Sequence, residues 1–249
     1  MSIQIKKPLA LIGENSNNFI VYGLREHGFE VLLLPADERL AHQVSSHADM
    51  LIFKLDDTVF CDERYYEQNK NIFLRIEEYG YTVNHSRLSL SADYPNDVAL
   101  NQAVIGKSIL GRAESCAKSI LKYADSHKYT YHAIKQGYAK CSTLILNESA
   151  IISADLVIIS IAKDLNASTL QIENKIGNVR LDGYDYGFIG GASAVYENKA
   201  FFFGNHLLHS QGDMIDKFCR DCGFLPISLG QESLCDIGGA IILPYVNKS

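Results

Sequence analysis

Apolar and polar residues follow one another along this chain in a pattern that recurs five times. In each copy a helix-like stretch closes on a small or polar residue and enters a short apolar strand. The junctions are centred on positions 28, 80, 128, 177 and 223. A spacing of about fifty residues is typical of repeat and propeller architectures. The pattern therefore predicts a fold built from five similar units.

A β-hairpin is predicted after each junction, because short β-branched and aromatic runs are separated there by Gly, Asn or Asp. Four complete hairpins are expected within 49–60, 98–110, 142–152 and 192–203. The fifth is split: residues 238–243 supply one strand, and we expect residues 8–13 to supply the other. Such a shared unit would close a ring and remove exposed sheet edges.

Helices are predicted where apolar residues recur at helical spacing. The capping-box pattern Ser168–Gln171 is expected to open a short helix that ends before Gly177. A cap at 210–213 is expected to start the last helix, with Met214 on its apolar face. The other helices are predicted over 18–27, 64–78 and 113–124.

These elements predict an α/β fold of five units, each a helix, a strand and a hairpin. Units of this size bury too little surface to be stable singly, so they are expected to pack together. No Pro/Ser-rich linker or block of charge divides the chain. We therefore predict one domain over residues 1–249, whose N-terminal strand completes the C-terminal unit.

Composition narrows the class of protein. Of the 249 residues, 47% are hydrophobic and 21% are charged, which is typical of a globular protein. A net charge of −6 without a basic stripe argues against a nucleic-acid partner. No signal peptide or membrane span is recognisable, so we expect a cytoplasmic protein that does not bind membranes. Its six cysteines are then expected to be thiols.

Residues 94–99, Tyr-Pro-Asn-Asp-Val-Ala, precede the second predicted hairpin. With this segment and its five units, the chain resembles the pentein superfamily of guanidine-modifying enzymes. That superfamily includes arginine deiminases, dimethylarginine dimethylaminohydrolases, amidinotransferases and a ribosome anti-association initiation factor. The resemblance implies a five-bladed β/α propeller of ββαβ units with pseudo-fivefold symmetry. It also implies that Asp97 corresponds to the aspartate that holds the substrate guanidinium in these enzymes.

The other catalytic positions of these enzymes are poorly matched. The start of the third hairpin, 139–142, has no carboxylate, and the start of the fourth, 187–191, has no histidine. Cys235 is near the position of the family's nucleophile, but an alignment on residues 241–243 places Gly238 closer to it. The Gly-Gly pairs at 190–191 and 238–239 are more similar to the non-catalytic translation-factor branch.

Cys235 is the candidate nucleophile. A thiol nucleophile needs a base within reach. His206 and His209 are the nearest candidates by topology, and we assign the role of base to His206. The alternatives are a thiol packed at a strand start, because free cysteines are commonly buried, and histidines at a helix start or on the surface.

Four polar residues are candidates for substrate binding: Asp97, Asn101, Asp236 and Ser193. A carboxylate at Asp97 could bind a cation by bidentate hydrogen bonds, but Asp is also favoured in turns. Lys54, like Asn101 and Ser193, interrupts a strand-like run and faces either a central channel or solvent.

No metal or cofactor is expected. The CxxC at 219–222 ends a helix, where the dipole opposes a thiolate, and no second cysteine pair completes a zinc site. No glycine-rich phosphate loop precedes a helix.

Two functions therefore stay open. The first is a pentein-like protein without the usual hydrolase residues that binds a small molecule, such as a guanidino or amidine compound, or a protein. The alternative is a divergent amidine- or guanidine-modifying hydrolase or transferase that uses Cys235. A ribosome-binding factor is a third possibility that no motif supports.

Overall fold

The structure is a computed structural model, and it describes residues 6–247. Its helices are α1 Asn18–Glu26, α2 Ala48–Leu51, α3 Glu63–Gln68, α4 Lys70–Glu78, α5 Lys118–Ser126, α6 Leu156–Asp164 and α7 Gly212–Asp221, with a 3-10 helix at His206–Leu208. No helix in this part of the chain is long and apolar enough to cross a membrane.

The strands are short, with two to five residues each. They are β1 Leu9–Gly13, β2 Glu30–Leu34, β3 Ile52–Leu55, β4 Thr58–Asp62, β5 Thr82–Ser86, β6 Ala103–Ile105, β7 Ser108–Gly111, β8 Thr130–Ala133, β9 Thr143–Asn147, β10 Ala150–Ser153, β11 Ser168–Gln171, β12 Val179–Arg180, β13 Ser193–Tyr196, β14 Lys199–Phe202, β15 Leu225–Ser228, β16 Leu234–Cys235 and β17 Ile241–Leu243.

Five three-stranded sheets share one arrangement. In each, an antiparallel pair is extended by a third strand, parallel to the second, that returns after a helix. The sheets are β17-β1-β2, β3-β4-β5, β6-β7-β8, β9-β10-β11 and β13-β14-β15. In the first of them β1 pairs with β17 from the other end of the chain, with Leu9 opposite Leu243. The first strands lie beside one another in the series β6, β9, β13, β17.

The helices cover these sheets with their apolar faces. Phe73 and Ile76 of α4 are fully buried, as are Ile20 and Leu24 of α1. Burial of such side chains stabilises a fold by about 1.5–3 kcal/mol each. The same packing recurs at Ile120 of α5, Ile158 of α6 and Ile215 of α7.

The prediction of a helix over 168–176 was wrong. Ser168–Gln171 form β11, which pairs in parallel with β10, and the helix of this unit is α6, twelve residues earlier in the chain. Asp155 caps α6 by accepting hydrogen bonds from the N–H groups of Val157 and Ile158. The helix-to-strand turn of this unit was predicted at Gly177, but Asn166 makes it, in the left-handed region at φ 61°. Asparagine tolerates that conformation, so no glycine marks this junction in the sequence.

Other boundaries also differ from the predictions. The helix predicted over 64–78 is two helices that meet at Asn69, and the one predicted over 113–124 is α5, from Lys118 to Ser126. Residues 49–51, predicted as strand, belong to the helix α2. Met214 of α7 is half exposed, and Cys219 occupies the buried face instead.

Candidate functional site

Five turns, each just before the first strand of a sheet, are hydrogen-bonded to one another, and the first of them includes α2. They carry Asp49, Asn101, Cys141, Gly191 and Gly238. Hydrogen bonds connect the five turns in a closed circuit: Asn101 Nδ2 to Asp49 O (3.4 Å), Asn101 Nδ2 to Cys141 Sγ (3.0 Å), Gly191 N to Cys141 O (3.0 Å), Ile237 N to Gly191 O (3.0 Å) and Asp49 N to Gly238 O (3.3 Å).

Asn101 organises one side of this circuit. It is fully buried, and its Oδ1 accepts hydrogen bonds from the backbone N–H groups of Lys140 (2.9 Å) and Cys141 (3.2 Å). Its Nδ2 donates to Cys141 Sγ and lies 3.4 Å from Met50 Sδ. Asn101, which was predicted to bind substrate, therefore uses its donor and acceptor groups in hydrogen bonds within the protein.

Cys141 and Asp49 form a buried thiol–carboxylate pair. The Cys141 thiol donates to Asp49 Oδ2 over 2.9 Å, while Asp49 Oδ1 has no hydrogen-bond partner among residues 6–247. Burial raises the pKa of Asp49 to about 7, although Lys140 acts in the opposite direction. Burial also raises the pKa of the Cys141 thiol far above its usual range, so the pair is a neutral thiol beside a readily protonated carboxyl group.

Asp236 lies on the other side of the circuit. The parallel pairing of β12 with β16 brings the segments that follow Arg180 and Cys235 together. Asp236 then accepts hydrogen bonds from the N–H groups of Phe188 (2.8 Å) and Gly238 (3.0 Å). Its Oδ1 lies 3.8 Å from Nδ1 of His47, whose pKa is lowered by burial.

The Gly-Gly pairs allow these turns to approach one another. Gly239 N donates to Gly191 O over 2.7 Å. A Cβ on Gly191 would lie 1.9 Å from Asp236 Oδ1, and one on Gly238 would lie 2.3 Å from the Cβ of His47. Because such contacts are impossible for real side chains, this packing requires glycine.

Two cavities flank Asp236 and His47. The first, the aromatic cavity, has a volume of about 280 Å³ and is lined by Val44, His47, Met50, Tyr138, Cys141, Leu181, Tyr184, Asp185, Tyr186, Phe188 and Asp236. The second, the thiol cavity, has a volume of about 240 Å³ and is lined by Asn15, Ser16, Asn17, His42, Gln43, Ser46, His47, Arg180, Asp182, Cys235, Asp236 and Ile237.

Cys235, the candidate nucleophile, lines the thiol cavity. Asn17 Nδ2 lies 3.7 Å from its sulfur. Burial raises the pKa of its thiol, and Arg180 partly opposes that shift. Among residues 6–247, no hydrogen bond joins Cys235 to a histidine, although His42 and His47 line the same cavity.

His206 and Cys235 are not joined by a hydrogen bond. His206 is buried at the start of the 3-10 helix, where Nδ1 lies 2.7 Å from Ser228 Oγ and Nε2 lies 3.2 Å from Asp216 Oδ1. His209 accepts a hydrogen bond from Gln211 N, and burial lowers the pKa of its ring.

The remaining candidates occupy different surroundings. Asp97 is buried and accepts a hydrogen bond from the Tyr138 hydroxyl, and burial raises the pKa of its carboxyl group. Ser193 is buried and donates to Ile189 O over 2.7 Å. Because Tyr138 lines the aromatic cavity and its hydroxyl bonds to Asp97, Tyr138 lies between the Asp97 carboxylate and the cavity.

Sequence reasoning missed Asp49, His47, Lys140 and the aromatic loop at 184–188 as site residues. One local signal was available for Asp49, since it is the single charged residue in the apolar run 48–53. The other three are recognisable only once the turns are assembled.

The fold and these turns define the class of protein: an α/β protein of the pentein fold. The amidinotransferase SxtG of Microseira wollei, from a saxitoxin biosynthetic pathway, is similar over 98% of this chain and 96% of its own, with a TM-score of 0.59 and 11% identity. DDAH from Pseudomonas aeruginosa, a Cys-to-Ser mutant complexed with citrulline, is similar over 95% of this chain and 96% of its own, with a TM-score of 0.57 and 11% identity.

A third similar structure is the agmatine deiminase of C. jejuni, over 98% of this chain and 94% of its own, with a TM-score of 0.55 and 9% identity. No curated protein matches in sequence. The model of the "Family of unknown function (DUF6873)" matches residues 11–241, so the chain belongs to this family. The fold of this chain is similar to that of the three pentein enzymes above.

Proposed function

We propose that this protein binds a small organic cation, of the guanidino or amidine type, in the aromatic cavity. The observation that carries the proposal is the composition of the cavity wall. Tyr138, Tyr184, Tyr186 and Phe188 contribute four aromatic rings, and Asp185 and Asp236 contribute two carboxylates. Neither lysine nor arginine is among the described residues that line the cavity.

The aromatic side chains are arranged as a continuous wall. The ring centroids of Tyr138 and Phe188 are 6.2 Å apart, and those of Tyr186 and Phe188 are 6.0 Å apart. A cation within about 6 Å of a ring face is stabilised by about 0.5–2 kcal/mol, more when it is desolvated. Burial keeps His47 neutral by lowering its pKa, so the wall favours a positively charged ligand.

The architecture proposed with this function is a single domain over residues 1–249. We propose that the five sheets close as a five-bladed propeller of pentein units and that β1 completes the C-terminal unit. The repeated strand order and the closed circuit of hydrogen bonds support this arrangement. The cytoplasmic location stays a prediction.

Binding without turnover is the expected behaviour. Titration calorimetry with arginine, methylated arginines and agmatine should give saturable binding that Tyr138→Ala and Phe188→Ala weaken by at least tenfold. Tyr22→Ala, which changes an exposed ring on α1, is the matched control and should bind as the unmodified protein does. Absence of binding across these compounds would contradict the proposal.

The alternative function is a divergent guanidine or amidine hydrolase or transferase. One observation favours it: Cys235 and His47 line the same cavity, beside Asp236 and Arg180. Arginine, methylated arginines, agmatine and peptidyl-arginine should be assayed for release of citrulline or ammonia. Turnover that disappears in Cys235→Ala would establish this alternative and overturn the proposal of a non-catalytic binder.

A further inference from the structure

A third cavity lies among the first strands of the sheets and shares no lining residue with the aromatic and thiol cavities. This strand cavity has a volume of about 190 Å³ and is lined by residues of β3, β6, β9 and β17. Its apolar wall includes Ile52, Phe53, Val104, Ile145 and Ile241. Pockets for drug-sized ligands are about 300–1,000 Å³, so this one suits a molecule of a few heavy atoms.

Asp49 contributes a buried carboxyl group with one unpaired oxygen to the wall of this cavity. The residue lines the cavity and is only 3% exposed. Oδ2 accepts the Cys141 thiol, but Oδ1 has no hydrogen-bond partner among the described residues. Buried polar atoms in native proteins nearly always have a partner, so the orphan oxygen indicates a place for a ligand group.

The charges that line the cavity favour an anion. Lys140 and Lys54 are both in its wall, and Asp49 is the one carboxylate among the described lining residues. Lys140 Nζ donates one hydrogen bond, to Gly190 O at 3.1 Å, which leaves two of its three donors free for a ligand. Lys54 Nζ lies 5.9 Å from the centroid of the Tyr81 ring, and burial lowers the pKa of its ammonium group.

We propose that the strand cavity is a second ligand site, which takes a short aliphatic carboxylate. The carboxylate group lies between Lys140 and Asp49, and the hydrocarbon chain lies against Ile52, Val104 and Ile241. Lys140 donates to one oxygen of the ligand. The protonated Asp49 carboxyl group donates to the other from its free oxygen, which satisfies the buried atom.

Binding is coupled to the protonation of Asp49. An ionised Asp49 would repel the ligand, and the pKa of this residue is about 7 because burial raises it. The groups that face Asp49 are Lys140, which lowers its pKa, and Asp236, which raises it. The Cys141 thiol donates to its Oδ2, and the Asn101 amide donates to its backbone oxygen. His47, from the same turn, is held neutral by burial, which lowers its pKa. Above pH 7, affinity should therefore fall by up to about tenfold per pH unit.

Titration calorimetry tests the site with acetate, butyrate and pentanoate at pH 6 and pH 8. Affinity should rise by about fourfold for each methylene group added to the ligand, because each buried methylene contributes about 0.8 kcal/mol. It should be at least fivefold weaker at pH 8. Butanamide, which matches butyrate in shape but is uncharged, and butylammonium, which carries the opposite charge, should bind at least tenfold more weakly than butyrate at pH 6. Binding of butylammonium as tight as butyrate, or no saturable binding at millimolar pentanoate, would overturn the proposal.

Two substitutions separate the roles of the polar groups. Lys140→Met should reduce pentanoate affinity by at least tenfold, whereas Lys135→Met, at an exposed lysine, should leave it unchanged. Asp49→Asn keeps a donor in place, so it should bind pentanoate with an affinity that no longer changes between pH 6 and pH 8.

A crystal of the unmodified protein grown with pentanoate provides a readout that does not depend on any variant folding. Density for the ligand between Lys140 and Asp49 is expected. Water alone in the strand cavity would overturn the proposal, while leaving the aromatic cavity as a site untouched.

Discussion

Asp49 and Cys141, 92 residues apart in the chain, are joined by a hydrogen bond of 2.9 Å from the thiol to the carboxylate. The two side chains come from turns that precede different sheets, and Asn101 from a third turn donates to the same sulfur. Three separate parts of the sequence therefore meet in one buried polar cluster. Its stability and its protonation state offer direct tests of the structure.

The first prediction concerns pH and Asp49. Its carboxyl pKa is about 7 in the folded protein, because burial raises it from 3.8. Between those values the unfolded chain releases the proton and the folded protein keeps it, so the free energy of unfolding should fall as pH rises. The loss approaches about 1.4 kcal/mol per pH unit across this window.

Urea unfolding of the protein and of Asp49→Asn from pH 4.5 to pH 8 measures how much Asp49 contributes to the pH dependence of the free energy of unfolding. The difference between the two slopes isolates Asp49, because all other titrating groups are shared. Asp185→Asn, at an exposed carboxylate, is the control and should follow the unmodified protein. Parallel curves for the protein and Asp49→Asn would contradict the assignment.

The second prediction concerns Asn101, which holds the turn at 140–141. Asn101→Leu leaves the N–H groups of Lys140 and Cys141 without their acceptor, and each buried unpaired donor costs about 1–3 kcal/mol. The free energy of unfolding should therefore fall by roughly 2–5 kcal/mol. Asn96→Leu, at an exposed position five residues earlier, should change it by less than about 0.5 kcal/mol. Equal effects of the two substitutions would show that Asn101 does not support this turn.

The third prediction separates close packing from backbone strain at glycine. Gly28 and Gly238 both have positive φ, at 91° and 77°. A Cβ on Gly28 meets nothing within 4 Å, whereas one on Gly238 meets His47. Gly28→Ala should destabilise by about 1–2 kcal/mol from strain alone, and Gly238→Ala by at least about 2 kcal/mol more. Thermal unfolding of the pair measures the difference, and similar melting temperatures would argue against the close contact with His47.

The fourth prediction concerns thiol reactivity. Cys222 and Cys235 are partly exposed, and the other four cysteines are buried. Iodoacetamide should therefore label Cys222 and Cys235 first in the folded protein. Burial raises the pKa of both thiols, so their labelling should accelerate by up to about tenfold from pH 7.5 to pH 8.5. Peptide mass mapping identifies the labelled sites, and earlier labelling of Cys141 would be incompatible with its burial.

Local sequence signals located much of the fold, within limits that have physical causes. Hairpin strands such as Thr143–Asn147 and Ala150–Ser153 are apolar runs separated by an Asn-containing turn, so they are visible in the sequence. The helix α6 was missed because Leu156–Asp164 is apolar nearly all round and lacks a clear polar face. The segment after it was assigned to helix because Ser168–Gln171 matches a capping pattern, although its β-sheet partner β10 decides its conformation.

The recurring α/β unit can be read from local sequence, because hydrophobic period and turn residues act over a few neighbouring positions. The sequence also determined which chemical groups are available: a candidate nucleophile at Cys235 and acidic residues at Asp97 and Asp236. Only the tertiary structure decided which of these groups meet. Asp49, Asn101 and Cys141 come together, and His206 is instead bound to Asp216 and Ser228, because contacts between turns of different sheets depend on how the sheets pack.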